Sequence, residues 1–274
     1  MKERLTVTID ENIIKKIDAT IDGNTIKNRS HAFEVLLNKS LKPNLPKKAV
    51  ILCGGQGTRL RPLTYEIPKA LIPIHGKTLT EHLFDLFKKY GIEDIYMAVG
   101  HMKNKIMDFY GNGEKFGVKI HYIIEEEPLG TGGPLKKANF NEPIFVTNGD
   151  ELKDINLEDM YKLHKKEKSR VTIALTTVED PSQYGVAKLN GSKIEAFIEK
   201  PKKDAPSNLI NSGFYIIEPE TLSLIPNGFA MLEKEVFPKL AEQNKLTGYP
   251  FSGQWFDTGN MERYEKAIKE WKGV

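Results

Sequence analysis

The sequence predicts an α/β body, a mostly parallel sheet with helices on both faces, preceded by a small separate head. Three observations carry that prediction. From residue 49 onward, helical and strand patterns alternate, which is how a sheet built through crossover helices reads. An apolar run, Ala49-Val50-Ile51-Leu52-Cys53, leads directly into a glycine-rich loop, Gly54-Gly55-Gln56-Gly57. The charge is also divided unevenly. Residues 1–48 hold ten Lys/Arg against six Asp/Glu, and the rest of the 274-residue chain holds thirty against thirty-one, for a net charge of +3. A basic head on a near-neutral body indicates two units with different partners.

The composition excludes several classes. An apolar share of 39% supports a core. No apolar run approaches the roughly 18 residues of a membrane span, and no membrane partner is expected. The start, Met-Lys-Glu-Arg-Leu-Thr-Val, lacks the apolar stretch of a signal peptide. The single cysteine excludes an internal disulfide and a multi-cysteine metal site, which fits a cytoplasmic location. Cys53 is expected to be a buried thiol without chemistry.

The head reads as one strand and two helices. Residues 4–10, Arg-Leu-Thr-Val-Thr-Ile-Asp, alternate polar and apolar as a half-buried strand does. Asp10 is placed to cap a helix starting at Glu11 and carrying Ile13, Ile14, Ile17 and Ile21. Asp22-Gly23-Asn24 marks a break. Ser30 is expected to cap a second helix with Ala32, Phe33, Leu36, Leu37 and Leu41, and residues 43–48 form a proline-containing linker. About 42 residues cannot bury a sufficient core alone, and the strand has no partner within the head. Pairing two chains removes both problems.

In the body, the loop at 54–57 is suited to phosphate. Glycine lets backbone N–H groups approach an anion closely, and Arg59 and Lys69 bring positive charge. No Gly-Lys-Ser/Thr closes the loop and the third glycine of the dinucleotide fingerprint is missing, so neither of those motifs applies. A helical stripe follows at Leu79, Leu83, Leu86, Phe87 and Tyr90. Further strands are expected at 95–99, 118–124 and 143–147, with a helix near 102–110. Ligands of open sheets bind at the carboxyl ends of strands, where Glu125 to Gly133 and Asn148-Gly149-Asp150 both fall. An aspartate at a strand end after glycine is a natural Mg²⁺ ligand, since Mg²⁺ takes carboxylate and phosphate oxygens. His75, His82, His101, His121 and His164 have no ligand spacing and read as surface or structural.

Residues 54–69, Gly-Gly-Gln-Gly-Thr-Arg-Leu-Arg-Pro-Leu-Thr-Tyr-Glu-Ile-Pro-Lys, resemble the signature of the sugar-1-phosphate nucleotidyltransferases, the NDP-sugar pyrophosphorylases. The resemblance continues through residue 270 and is of the mannose-1-phosphate guanylyltransferase type. It implies the Rossmann-like nucleotide-diphospho-sugar transferase fold over residues 49–274, and Mg²⁺-dependent transfer of a nucleoside monophosphate from a nucleoside triphosphate to a sugar 1-phosphate. It places Gly54, Gly55, Gly57, Thr58, Glu125, Gly130 and Thr131 around the nucleotide. Arg59, Lys69, Asp150 and Lys200 take catalytic roles, and Asp150 and Asp257 bind the metal. Tyr184, Gly185, Glu199, Lys200 and Asn211 surround the sugar phosphate. Glu125 falls at the base-reading position. A carboxylate accepts two hydrogen bonds well, and guanine offers two adjacent donors, which favours GTP. A dTTP- or UTP-using glucose-1-phosphate enzyme is the alternative. A DNA-bound regulator sensing nucleotide sugars is an alternative of another class.

The head, residues 1–42, resembles the ribbon-helix-helix DNA-binding domains, Asn28-Arg29-Ser30 before the second helix included. That resemblance implies a homodimer through the head. Its paired strands would present Arg4, Thr6 and Thr8 to base edges of double-stranded DNA, and the helix start near Ser30 would hold a phosphate; a pure dimerisation clip is the alternative. No hexapeptide repeat follows Trp271, so oligomerisation through an appended β-helix is not expected.

Overall fold

The computed structural model describes residues 6–41, 44–202 and 204–274. The chain divides into two compact units, Met1–Asn44 and Leu45–Val274. No described helix is long and apolar enough to cross a membrane.

The first unit holds helices α1 (Glu11–Asp18) and α2 (Arg29–Leu41). Asp10 caps α1, its side chain accepting from the Asn12 N–H at 2.9 Å. One Asp22 oxygen accepts from the amides of Asn24, Thr25 and Ile26 at 2.9, 2.7 and 2.8 Å, which fixes the turn between the helices. Arg29 grips Asp18 with two bonds, of 2.7 and 2.6 Å. The cap of α2 is Asn28 rather than Ser30. The Asn28 side chain accepts from the His31 N–H at 2.9 Å, and Ser30 already lies within the first turn. The helix starts two residues earlier than expected because asparagine is as good a cap as serine. Residues 6–10 form no strand ladder, since a single chain gives them no partner among the described residues. Arg4 lies outside the described residues. Ile17 and Ala32 are buried, whereas Val7, Ile13 and Leu37 are 59%, 51% and 53% exposed.

The second unit runs β1 (Lys48–Leu52), β2 (Pro73–Ile74), β3 (Lys77–Thr78), α3 (Leu79–Lys89), β4 (Asp94–Val99), α4 (Lys103–Tyr110), β5 (Lys119–Ile124), α5 (Gly133–Ala138), β6 (Ile144–Asn148), β7 (Glu151–Lys153), α6 (Leu157–Lys166), β8 (Val171–Thr177), β9 (Gly185–Asn190), β10 (Lys193–Glu199), β11 (Leu209–Ile217), α7 (Phe237–Glu242), β12 (Leu246–Pro250), β13 (Trp255–Asp257) and α8 (Met261–Glu270). Nine strands form one sheet in the order β5-β4-β1-β6-β11-β8-β12-β10-β9. The half from β5 to β6 is wholly parallel. In the other half β11 runs against both β6 and β8, and β9 and β10 form a hairpin that pairs antiparallel with β12. The short strands β7 and β13 pair antiparallel beside the sheet.

Side-chain alternation sends each strand's residues to two cores. Ala49, Ile51, Phe145, Phe214 and Ile216 pack on one face with Leu83, Phe84 and Phe87 of α3. Val50, Val146, Tyr215 and Ile217 pack on the other with Leu135 of α5 and Phe237 of α7. Burial on both faces explains the unbroken apolar runs of β1 and β6. Thr78 and Glu81 form a capping box that starts α3, with bonds of 3.2 and 2.7 Å. A third cluster joins Leu60, just past the glycine loop, to Leu152 of β7, to Tyr264 and Ala267 of α8 and to Trp271 directly after it. This cluster fixes the loop beside the β7–β13 ladder.

Two histidines are structural. His82 Nε2 faces the Ile74 carbonyl at 3.0 Å, and its Nδ1 accepts from the Trp271 indole at 3.2 Å, which holds the ring neutral. His164 is fully buried between Thr172 and Glu218. Burial holds both rings below the ordinary value of 6.5. Below that value the unfolded chain takes up protons that the folded chain refuses, so stability present above it is lost as pH falls. Urea titrations at decreasing pH should show this loss, and His82→Gln and His164→Gln should each make the dependence shallower.

Candidate active site

The parallel register of β1 on β6 sets Leu52 opposite Asn148. The chain segments leaving both strands therefore emerge side by side, and the Gly149 N–H donates to the Leu52 carbonyl at 3.0 Å. In the same way β4 and β5 end together, and the Glu125 N–H donates to the Val99 carbonyl at 2.8 Å. Between these strand ends lies a cavity of about 340 Å³. It is lined by Gly54 and Gly55 of the loop, Lys69, Glu125, Pro128, Gly130, Thr131, Asp150 and Phe229, among others. A Cβ at Gly54 would run into the Glu125 carboxylate, so the loop backbone and that side chain pack directly on each other. Gly57 has φ +62°, and the Thr64 hydroxyl holds its carbonyl at 2.8 Å.

Glu125 is buried, and one of its oxygens accepts from the Leu129 N–H at 2.9 Å. Burial raises its pKa against that bond. Gly130 and Thr131 line the same cavity, yet the Thr131 hydroxyl also donates to Glu233 at 2.6 Å and accepts from the Leu232 N–H at 2.9 Å. Thr58 and Arg59 are exposed on the short turn after the loop.

Asp150 and Asp257 come together through the backbone. Thr258 donates both its N–H and its hydroxyl to the Asp150 carbonyl, at 3.1 and 2.8 Å. Asp257 stands opposite Glu151 in the β7–β13 ladder. Arg59 and Asp257 both face Gly259, at 3.1 and 2.7 Å from where a Cβ would sit. Each aspartate is matched by a cation. Lys69 Nζ lies 2.6 Å from Asp150, and Arg263 pairs with Asp257. Burial works to raise the Asp150 carboxyl, but the Lys69 ammonium overrides it and holds the group below the usual carboxylate range. Two carboxylates beside a phosphate-type loop fit a hard divalent cation that completes its shell with phosphate oxygens and water. Among the described residues no set of three acidic, histidine or cysteine side chains is placed to hold a metal by itself.

Beneath Asp150 lies a group that sequence reasoning missed. Lys153 is completely enclosed, with its ammonium bonded to Glu151 (3.0 Å), the Thr147 hydroxyl (3.1 Å) and the carbonyls of Ser212 (2.8 Å) and Gly213 (3.2 Å). Glu151 also accepts from Asn148 at 3.0 Å and from the Trp255 indole at 3.1 Å. Burial pushes the Glu151 carboxyl up to about 7 and the Lys153 ammonium down. The signal was present, because Glu151 and Lys153 flank Leu152 on one face of a strand. Polar-apolar-polar spacing normally marks the polar face as solvated, and here that face is inward.

Of the second motif set, Tyr184 lines a cavity of about 420 Å³ with Trp255, Asp257, Arg263 and Lys266 among others, whereas Gly185, Glu199, Lys200 and Asn211 line neither this cavity nor the first. The Tyr184 hydroxyl donates to Asp257 at 3.2 Å, and the Arg263 guanidinium lies over the Tyr184 ring at 5.1 Å. A Cβ at Gly185 would sit 2.8 Å from the Glu199 carboxylate, so Glu199 is held beside that glycine. Lys200 is exposed, has φ +48°, and its ammonium lies 3.6 Å from Glu199. Asn211 is already engaged, donating to the Tyr215 hydroxyl at 2.8 Å and accepting from the Gly213 N–H at 2.9 Å across a bulge in β11. Cys53 is a buried free thiol whose pKa burial pushes up to about 12.

The family described as nucleotidyl transferase matches residues 48–272. A mannose-1-phosphate guanyltransferase of Yarrowia lipolytica is 40% identical over 225 residues, 79% of this chain and 62% of that one. This chain thus spans less than two thirds of the length of that relative. Among solved structures, a putative glucose-1-phosphate thymidylyltransferase from Bacillus anthracis, in complex with a sucrose, superposes with a TM-score of 0.72 at 26% identity, covering 81% of this chain and 94% of that chain. HddC from Yersinia pseudotuberculosis, complexed with GMP-PN, superposes with a TM-score of 0.67 at 26% identity, covering 83% of this chain and all of the other.

The buried pair gives a stability prediction. Lys153→Met leaves Glu151 enclosed without its counter-charge and should cost about 3–5 kcal/mol in chemical denaturation. Adding Glu151→Gln should recover part of that loss.

Proposed function

The chain belongs to the nucleotidyl transferase family, and on that premise we propose that it transfers the guanylyl group of GTP to a sugar 1-phosphate, mannose 1-phosphate or a related hexose or heptose, releasing pyrophosphate. The observation that carries this reading is the shared cavity, in which the glycine loop, the Lys69–Asp150 pair, Glu125 and Gly130-Thr131 line one space. The relative at 40% identity is itself named as a mannose-1-phosphate guanyltransferase.

Both reactants are anions and repel each other, so the site has to offset charge before it can align atoms. The sugar phosphate oxygen attacks the α-phosphorus in line with the departing pyrophosphate. No protein nucleophile is required, and positioning supplies much of the rate. Backbone N–H groups of the loop and Lys69 hold the triphosphate. Arg59 faces the same space as Asp257 and stabilises the leaving pyrophosphate. Lys200, beside Glu199, holds the attacking phosphate, and Tyr184, Gly185 and Glu199 bound the sugar. Asn211 serves by bracing β11 through its internal bonds. Asp150 and Asp257 would hold Mg²⁺, which supplies charge neutralisation at the α-phosphate when bound.

For the head, the favouring observation is exposed apolar surface at Val7, Ile13 and Leu37 over a unit in which Ile17 and Ala32 are the buried apolar residues described. We propose that residues 1–42 form a ribbon-helix-helix dimer joined through 43–48 to a body acting in the cytoplasm. Its positive charge and exposed Thr6 and Thr8 favour DNA contact.

Pyrophosphate release across four nucleotides and several sugar phosphates tests the activity. GTP should be preferred, and Asp150→Asn and Arg59→Ala should each lower kcat at least about tenfold, the factor for about 1.4 kcal/mol of transition-state stabilisation. Near-wild-type turnover in both variants would refute the mechanism. Light scattering should show a dimer for the whole chain and a monomer after removal of residues 1–45. A low-salt gel shift should lose retention on Arg4→Ala if the head reads DNA.

A further inference from the structure

Phe229 keeps 61% of its surface exposed, yet it lines the first cavity together with Gly54, Lys69, Glu125 and Pro128. A lone exposed apolar residue needs no explanation. This one is different because the backbone that follows it is fixed. The Ala230 N–H donates to the Leu129 carbonyl at 3.0 Å, and the Ala230 carbonyl accepts from the Gly132 N–H at 2.8 Å. Met231 N–H donates to Glu235 at 2.6 Å, and Leu232 N–H donates to the Thr131 hydroxyl at 2.9 Å. Ala230 and Leu232 are completely buried. The Ala230 carbonyl also presses on Gly130, where φ is +71° and a Cβ would collide. The chain thus enters the core immediately after residue 229 and leaves Phe229 at the cavity wall.

We propose that Phe229 is a stacking platform for the base of the bound nucleoside triphosphate. The inference rests on the reading that this cavity holds the nucleotide. Among the described residues, those assigned to the sugar phosphate do not line it, and Tyr184 lines the neighbouring cavity instead. An aromatic face with proline nearby binds the flat face of any base and selects none. Glu125, a buried carboxylate in the same wall, is the group that can distinguish base edges. Affinity and selectivity are therefore divided between two side chains.

Calorimetric titration of the full-length protein with GTP and with UTP, without sugar phosphate, tests this. Phe229→Ala should weaken both nucleotides by the same factor, at least about fivefold. Phe229→Tyr should restore affinity. The melting temperature without ligand and the KM for sugar 1-phosphate should stay at wild-type values, because the ring is exposed and lies outside the sugar cavity. Unchanged GTP affinity in Phe229→Ala, or a rise confined to the sugar-phosphate KM, overturns the role of Phe229 alone. A wild-type protein that binds no nucleoside triphosphate overturns the assignment of the cavity and this inference with it.

Discussion

Lys153 is the constraint on which the rest of the site depends. An enclosed ammonium is costly unless every proton finds an acceptor. Here the acceptors come from β6, β7 and the bulge of β11. The cation therefore ties the central strand to its antiparallel neighbour and to the short ladder that carries the second aspartate. Glu151, the partner of Lys153, extends the network to Asn148 and Trp255. Asp150 sits directly above this network and Asp257 lies across from Glu151. Packing of Leu152, Leu60 and Trp271 brings the glycine loop alongside.

The charge arrangement follows from this frame. Each of the two aspartates has a basic partner, Lys69 for Asp150 and Arg263 for Asp257. In the proposed reaction Lys69 also holds the arriving triphosphate, so charge can be exchanged within the site and not newly buried. The two cavities both reach this acidic centre, the first through Lys69 and Asp150 and the second through Tyr184 and Asp257.

Much of the body was legible in the sequence because its signals are local. A continuous apolar run ending in glycines marks a buried parallel strand and its turn, and β1 begins at Lys48 and ends at Leu52. Motifs at strand ends read correctly as neighbours because an open parallel sheet collects its carboxyl ends on one side. The antiparallel course of β11 was not legible, since its apolar residues say only that it is buried. Lys153 was missed because a charged residue in a strand is ordinarily solvated, and Arg263 because its partner is fixed by the fold. In the head, the cap of the second helix falls at Asn28, whose side chain reaches the His31 amide, and Ser30 lies in the first turn. Asn211 and Thr131 show the converse limit. Their positions were legible, but their internal hydrogen bonds depend on distant chain segments.

Thr258 makes two bonds to one carbonyl, that of Asp150. Spreading the two acids apart would break both at once, together with the β7–β13 ladder. The acidic centre consequently behaves as an anvil, and any change in the width of the cavity has to come from the walls around it.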